Sequence, residues 1–175
     1  MITQLIHSGA NSIPRSKSMH DAKYASILTP IGKIGISVLN SKLESISWLS
    51  ESSPLIEPDD QSTKYIASEL SNYFMNPNYR FNVDMMLVGT PFQKRVWEAL
   101  INIPPGQVMT YGELAKQLST SPRAVGGACK ANPIPIIVPC HRVVAMNSLG
   151  GFFGEQSGHM MDIKTWLLRH EGAKL

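Results

Sequence analysis

Apolar and polar positions alternate over the first well-patterned stretch of the chain and recur at helical spacing over most of the rest. Tyr24–Leu28, Lys33–Leu39 and Leu43–Leu49 are short runs rich in β-branched residues. Within them Ile34, Ile36 and Val38 alternate with Gly35 and Ser37, the period of a half-buried strand. Thr29-Pro30-Ile31-Gly32 and Asn40-Ser41-Lys42 separate the runs with turn residues, so the spacing predicts a three-stranded antiparallel meander. Glu57-Pro58-Asp59-Asp60 breaks the pattern, and Asp60 is placed to cap a helix with Tyr65, Ile66, Leu70, Tyr73 and Phe74 on one face. Asn76-Pro77-Asn78 stops that helix, and Phe81–Val88 reads as one further strand. Residues 1–22 mix Ser, Asn, His and Lys without a period and read as a tail or loosely attached segment.

Beyond Gly89 the signals sharpen. Thr90-Pro91-Phe92-Gln93 combines an N-cap, a proline at the first helical position and a glutamine three residues past the cap. Phe92, Val96, Leu100 and Ile103 continue at helical spacing until Pro104-Pro105-Gly106. Thr110-Tyr111-Gly112-Glu113 is a second capping box, opening a short helix with Leu114, Ala115 and Leu118. After the turn Ser119-Thr120, Ser121-Pro122 opens another helix, Arg123 to Lys130, which Asn132-Pro133 closes. Two short helices joined by a tight polar turn have the outline of a helix-turn-helix, an outline that unrelated helical hairpins share. Ala124, Gly127, Ala128 and Ala131 give the second helix a stripe with almost no side-chain bulk. Such a stripe serves either close packing against a core or close approach to a narrow groove such as the minor groove of DNA; in the second case Arg123 is placed to reach a phosphate or the base stack. The pattern predicts an α+β protein. Residues 23–89 form a small antiparallel-sheet scaffold domain, and residues 90–175 a mostly helical domain carrying the chemistry.

That chemistry centres on Ile134-Pro135-Ile136-Ile137-Val138-Pro139-Cys140-His141-Arg142-Val143-Val144. The run reads as an apolar strand that delivers, after Pro139, a cysteine followed at once by histidine and arginine. Thiolate is the reactive form, and imidazole or cationic neighbours lower a thiol toward neutrality. Cys140 is therefore either a nucleophile or a buried structural cysteine. Neighbours in a regular strand point to opposite faces, so His141 assists Cys140 only if the chain turns here, or through a water. Cys129, among small residues of the preceding helix, is assigned to packing. Cys129, Cys140, His141 and His159 lack the paired spacings of a zinc site, so no metal is expected. Asn147–Gly158 is a glycine-rich loop suited to lining a pocket or moving as a lid. A last helix places Met160, Ile163, Trp166, Leu167 and His170 inward, with Gly172 as its stop. His170-Glu171 at its end serves either as plain capping and packing or as a carboxylate that folds back to orient a catalytic histidine.

The 175 residues are 43% hydrophobic and 17% charged, an ordinary globular balance that argues against disorder, and two cysteines exclude a disulfide scaffold. The start of the chain lacks the basic and apolar regions of a secretory signal, and no apolar run approaches the roughly 20 residues of a membrane span. A cytoplasmic protein with no membrane partner is expected. The net charge of +3 is uneven: residues 1–90 carry 7 basic and 8 acidic side chains, residues 91–175 carry 9 and 5. The half with the two short helices and Cys140 is thus the basic one, which permits contact with phosphates.

Over residues 90–175 the chain resembles the C-terminal domain of the O6-alkylguanine-DNA alkyltransferases. The motifs that carry the resemblance are Pro-Phe-Gln…Val-Trp, Ile-Pro-Pro-Gly-Gln-Val-Met-Thr-Tyr-Gly-Glu-Leu-Ala, Arg-Ala-Val-Gly-Gly-Ala, Asn-Pro-Ile-Pro-Ile-Ile-Val-Pro-Cys-His-Arg-Val and Lys164 to Gly172. Residues 24–88 are similar in outline to the family's variable N-terminal domain, a small sheet with a helix resembling ribonuclease H. The resemblance implies repair of double-stranded DNA containing O6-alkylguanine, with O4-alkylthymine as a second candidate lesion, by a monomer without cofactor. The damaged base is turned out of the stack into a pocket. Carried over residue by residue, Cys140 is the nucleophile, His141 the base acting through a water, Glu171 its partner, and Asn132 the brace of the turn. Arg123 fills the space left by the base, Tyr111 presses on the adjacent phosphate and contacts the base edge, and Ala124 and Gly127 lie against DNA. Backbone near Val143 meets the guanine edge. Transfer is irreversible, because a thioether is left on the protein.

Two departures from the family pattern stand out. The loop between Cys140 and Lys164 is about four residues longer. Aligned forward from Cys140, Phe153 takes the place of the family's pocket tyrosine; aligned backward from Lys164, Ser157 does, and the pocket wall stays open between them. Pro122 stands where alanine is common, and a tilted helix start is expected. Two other readings compete: a sequence-reading helix-turn-helix regulator with a redox-sensitive cysteine, and a cysteine hydrolase, for which no oxyanion hole is legible.

Overall fold

The computed structural model describes residues 22–174; the tail expected over residues 1–22 lies, but for Ala22, outside them. Three antiparallel strands come first: β1 (Ala22–Thr29), β2 (Gly32–Leu39) and β3 (Lys42–Trp48), in that order across the sheet. Asn40 and Ser41, both at positive φ (51° and 61°), make the tight two-residue connection whose twist suits a hairpin. Ile34, Ile36 and Val38 point into the core as the alternation predicts, but Gly35 and Ser37 between them are buried too, so the middle strand is covered on both faces rather than half-buried.

α1 (Gln61–Met75) starts at Asp60, whose carboxylate accepts from the Ser62 and Thr63 N–H groups, and ends at Asn76. It buries Thr63, Ile66, Glu69, Leu70 and Tyr73. Tyr65 departs from the expected face: it is exposed, because its hydroxyl donates to the Asn82 carbonyl outside the helix. The stretch Phe81–Val88 departs too. It is extended but forms only one parallel bridge, Leu43 with Met85, rather than a fourth strand. Phe81, Val83, Met85 and Leu87 pack against the core, so burial of alternate side chains, not a backbone ladder, holds it.

α2 (Pro91–Ile101) and α3 (Tyr111–Gln117) each open with a complete reciprocal capping box, Thr90 with Gln93 and Thr110 with Glu113. α4 (Pro122–Lys130) is capped by Ser121, and Pro122 sits at its first position, where a missing N–H costs nothing; the helix start is regular. Trp97 fastens α2 to α4 by donating its indole N–H to the Ala128 carbonyl at 2.9 Å. A short parallel pair, β4 (Met109–Thr110) with β5 (Val143–Val144), sets the start of α3 beside the segment following Cys140. α5 (His159–His170) closes the chain, and the buried apolar residues of both halves form one cluster. No helix among the described residues is long and apolar enough to cross a membrane.

Candidate active site

Ile134–Val138 is the main departure from the sequence reading. It is a buried turn, not a strand: the Val138 N–H donates to the Ile134 carbonyl, and Ile136 has a φ of 75°. Pro133, Pro135 and Pro139 remove the donors a ladder needs, so a continuous apolar run marked burial without strand geometry. Asn132 fastens the turn, its amide accepting from the Ile134 N–H (3.0 Å) and donating to the Val138 carbonyl (2.8 Å) and to Cys140 Sγ (3.2 Å). A 3-10 turn, Cys140–Arg142, follows at once. The chain therefore does turn at Cys140, which frees His141 from the opposite-face constraint of a strand.

His141 is fully buried, with Nε2 2.9 Å from Glu171 Oε1. Glu171 reaches it from the end of α5, where Gly172 (φ 71°) and the bonds Gly172 N–H to Arg169 and Ala173 N–H to Leu168 close the helix in a left-handed turn. Gly106 is what allows this approach: a Cβ there would stand 2.8 Å from the Glu171 carbonyl oxygen. The carboxylate also accepts from Arg142 Nε (2.9 Å) and NH2 (2.8 Å), from the Tyr73 hydroxyl (2.8 Å), and at longer range from the Gly106 N–H (3.4 Å). A third Arg142 donor, on NH1, goes to the Ile103 carbonyl. Arg142 thus serves the carboxylate rather than the thiol.

The protonation states follow. Burial alone would raise the Glu171 carboxyl, but hydrogen bonds from His141 and Arg142, together with the Arg142 charge, hold it well below its ordinary range. Burial lowers His141 against the opposing pull of Glu171, so the ring is neutral. An ionised carboxylate only accepts, so Nε2 carries the ring proton and Nδ1 keeps its lone pair. Nδ1 has no protein partner among the described residues. Burial pushes the Cys140 thiol up to about 11, against the Asn132 hydrogen bond and the Lys164 charge. The resting group is therefore a thiol, not the near-neutral thiolate expected from its neighbours. Glu171 also carries a pH signature. Because its folded pKa lies below the ordinary 4.5, its stabilisation is complete above that value and lost as the pH falls through the folded pKa. Urea midpoints measured from neutrality to about pH 3 should drop steeply at the acid end, and Glu171→Gln should flatten that drop.

Cys140 is only 3% exposed, yet it lines a cavity of about 350 Å³ with Tyr111, Arg123, Gly127, Lys130 and Phe153. A larger hollow of about 870 Å³ between α1 and the extended segment holds none of the groups around Cys140, so chemistry rather than size selects the smaller one. Tyr111 donates its hydroxyl to the Gly151 carbonyl at 3.2 Å, and burial keeps the phenol protonated. Arg123 and Gly127 are exposed at the rim, with open space where a Gly127 side chain would be. The small-residue stripe is split: Ala128 faces the core, Ala124 is half-buried, and Gly126, which the stripe omitted, lines the cavity. Of the two loop candidates, Phe153 lines the cavity; Ser157 is exposed and does not, because the extra residues form a turn ahead of it. Val143 is buried behind the lining, its carbonyl accepting from Lys164.

Lys164, Arg142 and Tyr73 were not singled out by the sequence reading. Lys164 is fully buried, and its ammonium donates to the carbonyls of Val143 (2.7 Å), Leu149 (2.6 Å) and Gly151 (3.0 Å). Burial lowers it to about 8, while three acceptors favour the charged form at neutral pH. Its position on the inward face of α5, one residue past Ile163, is the signal that could have found it.

Fold and site together define a class: an α+β protein whose cysteine, backed by a histidine–glutamate pair, sits in a cavity beside a helix-turn-helix. The family model for the 6-O-methylguanine DNA methyltransferase DNA-binding domain matches residues 91–173. A probable methylated-DNA–protein-cysteine methyltransferase of Acanthamoeba polyphaga mimivirus is 40% identical over 148 residues, covering 83% of this chain and 93% of its own. The crystal structure of the Mycobacterium tuberculosis O6-methylguanine methyltransferase matches with a TM-score of 0.74 at 34% identity, over 86% of this chain and 93% of that one. The same protein's complex with DNA matches at 0.71 and 36%, over 85% and 92%. The chain belongs to the O6-methylguanine DNA methyltransferase family. Its activity is that of a DNA repair alkyltransferase, in which a protein cysteine takes the methyl group.

Proposed function

We propose that Cys140 is that cysteine and that the substrate is an O6-alkylated guanine turned out of double-stranded DNA into the Cys140 cavity. The observation that carries the reading is a buried thiol on the wall of a cavity rimmed by Arg123 and the small residues of α4. α4 presents Arg123, Gly127 and Lys130 to the outside with no bulk between them, a surface that can approach a groove closely while its cations meet phosphates. Arg123, at the helix start, occupies the gap left by the extruded base.

His141 Nδ1, its lone pair fixed by the Nε2–Glu171 bond, takes the Cys140 proton through a water. The need for that base follows from a thiol whose resting pKa is about 11. The sulfur attacks the alkyl carbon in line, the carbon–O6 bond breaks, and its electron pair stays on the guanine. The Tyr111 hydroxyl, turning its one proton from the Gly151 carbonyl to the guanine, stabilises the departing base. The thioether carries no leaving group that water can displace, so each molecule reacts once. With a methylated duplex in excess, transfer should stop at one methyl per protein molecule, and an unmodified duplex should give none. Multiple turnovers, or no transfer beside an active relative, would overturn the reading.

A further inference from the structure

The loop between Cys140 and α5 contains a turn that its own residues do not favour. Phe152 and Glu155 exchange both backbone hydrogen bonds, at 2.9 and 3.0 Å. The two residues between them, Phe153 and Gly154, have φ values of 49° and 89°. Two positive φ values in a two-residue connection are the geometry of a type I′ turn, where asparagine and glycine lead because a bulky side chain is strained there. Gly154 suits its place, since a Cβ would stand 2.9 Å from Lys130 Cε. Phe153 does not, and a strained aromatic persists only where its surroundings over-determine it.

Those surroundings are two rings set edge to face, Phe152 at 4.8 Å and Trp48 at 6.3 Å between centroids. Trp48 ends β3, the strand whose Ile46 N–H donates to the Pro133 carbonyl at 2.9 Å. One strand therefore both fastens the turn leading to Cys140 and supplies the ring that meets the loop. The indole N–H of Trp48 is buried without a partner among the described residues, a cost that a phenyl ring in its place would not carry. Phe153 is out of place for its backbone and Trp48 for its N–H, and the two meet beside the cavity that Cys140 and Phe153 line.

We propose that Trp48 is a positioning residue that holds the Phe153 ring as a wall of the Cys140 cavity. The pair thereby sets the substrate class, favouring small alkyl groups over bulky arylmethyl groups on the guanine. This rests on the reading that Cys140 is the acceptor. The test compares transfer rates from duplexes containing O6-methylguanine and O6-benzylguanine. Phe153→Gly removes that wall, and the benzyl-to-methyl rate ratio should rise by about tenfold or more. Trp48→Ala should raise the ratio in the same direction and Trp48→Phe should restore it. The Trp48→Ala/Phe153→Gly double variant should match Phe153→Gly alone, because Trp48 acts only through Phe153. A Phe153→Gly ratio within about twofold of wild type, or a Trp48→Ala variant that loses stability with its ratio unchanged, overturns the proposal. Absence of wild-type transfer from the methylated duplex overturns the acceptor reading as well, so the two failures are distinguishable.

Discussion

Glu171→Ala is expected to lower stability by about 3–5 kcal/mol, the cost of leaving a buried cation without its partner. Arg142 is the cation: two of its donors end on the Glu171 carboxylate, and the guanidinium is buried. The same substitution strands the Tyr73 hydroxyl in the core and releases the His141 ring from its only protein hydrogen bond among the described residues. Alkyl transfer should fall by roughly 10²-fold or more, the scale of a general base lost from its position. Glu171→Gln keeps the shape but replaces one acceptor oxygen with a donor facing other donors, so it should fall between the two. Chemical denaturation gives the first quantity and single-turnover kinetics the second. An alanine variant with wild-type values for both would remove Glu171 from the account.

The second large effect belongs to Lys164. Its ammonium gathers three backbone carbonyls from two stretches of chain, Val143 just after the reactive turn and Leu149 and Gly151 at the start of the pocket loop. Lys164→Met fills the volume but leaves those acceptors buried and unmet, which should cost about 3 kcal/mol or more. Transfer should slow as well, because the loop carrying Phe152 and Phe153 loses its anchor and Cys140 loses a positive charge that draws its pKa down. Lys164→Arg should not rescue it: a planar fork does not meet three carbonyls converging on a compact ammonium. Equal stability and rate in the methionine variant would contradict this role.

Much of the fold was legible because its signals are local. Both capping boxes, the Asp60 cap, the Asn40-Ser41 hairpin and the alternation of Ile34, Ile36 and Val38 are written within a few residues of where they act. What failed depends on distant partners. Tyr73 lies 98 positions from the carboxylate it serves, and no spacing rule reaches that far. The apolar run Ile134–Val138 gave burial correctly and geometry wrongly, since periodicity cannot tell a buried strand from a buried turn and three prolines decide it. Lys164 was overlooked because lysine is seldom buried unless its charge is met, and the carbonyls that meet it belong to a loop without regular pattern. The Cys140–His141 adjacency was legible; that His141 turns to Glu171 depended on the turn at Cys140.

The central claim is that one sulfur accepts the alkyl group. Peptide mass spectrometry after incubation with a duplex containing O6-methylguanine tests it most directly. The account predicts that the peptide containing Cys140 alone gains the mass of one methylene, a methyl in place of a hydrogen, and that a Cys140→Ala protein gains nothing. A modified peptide elsewhere, Cys129 included, or an unmodified Cys140 peptide from protein that has removed the methyl group from DNA, would contradict it.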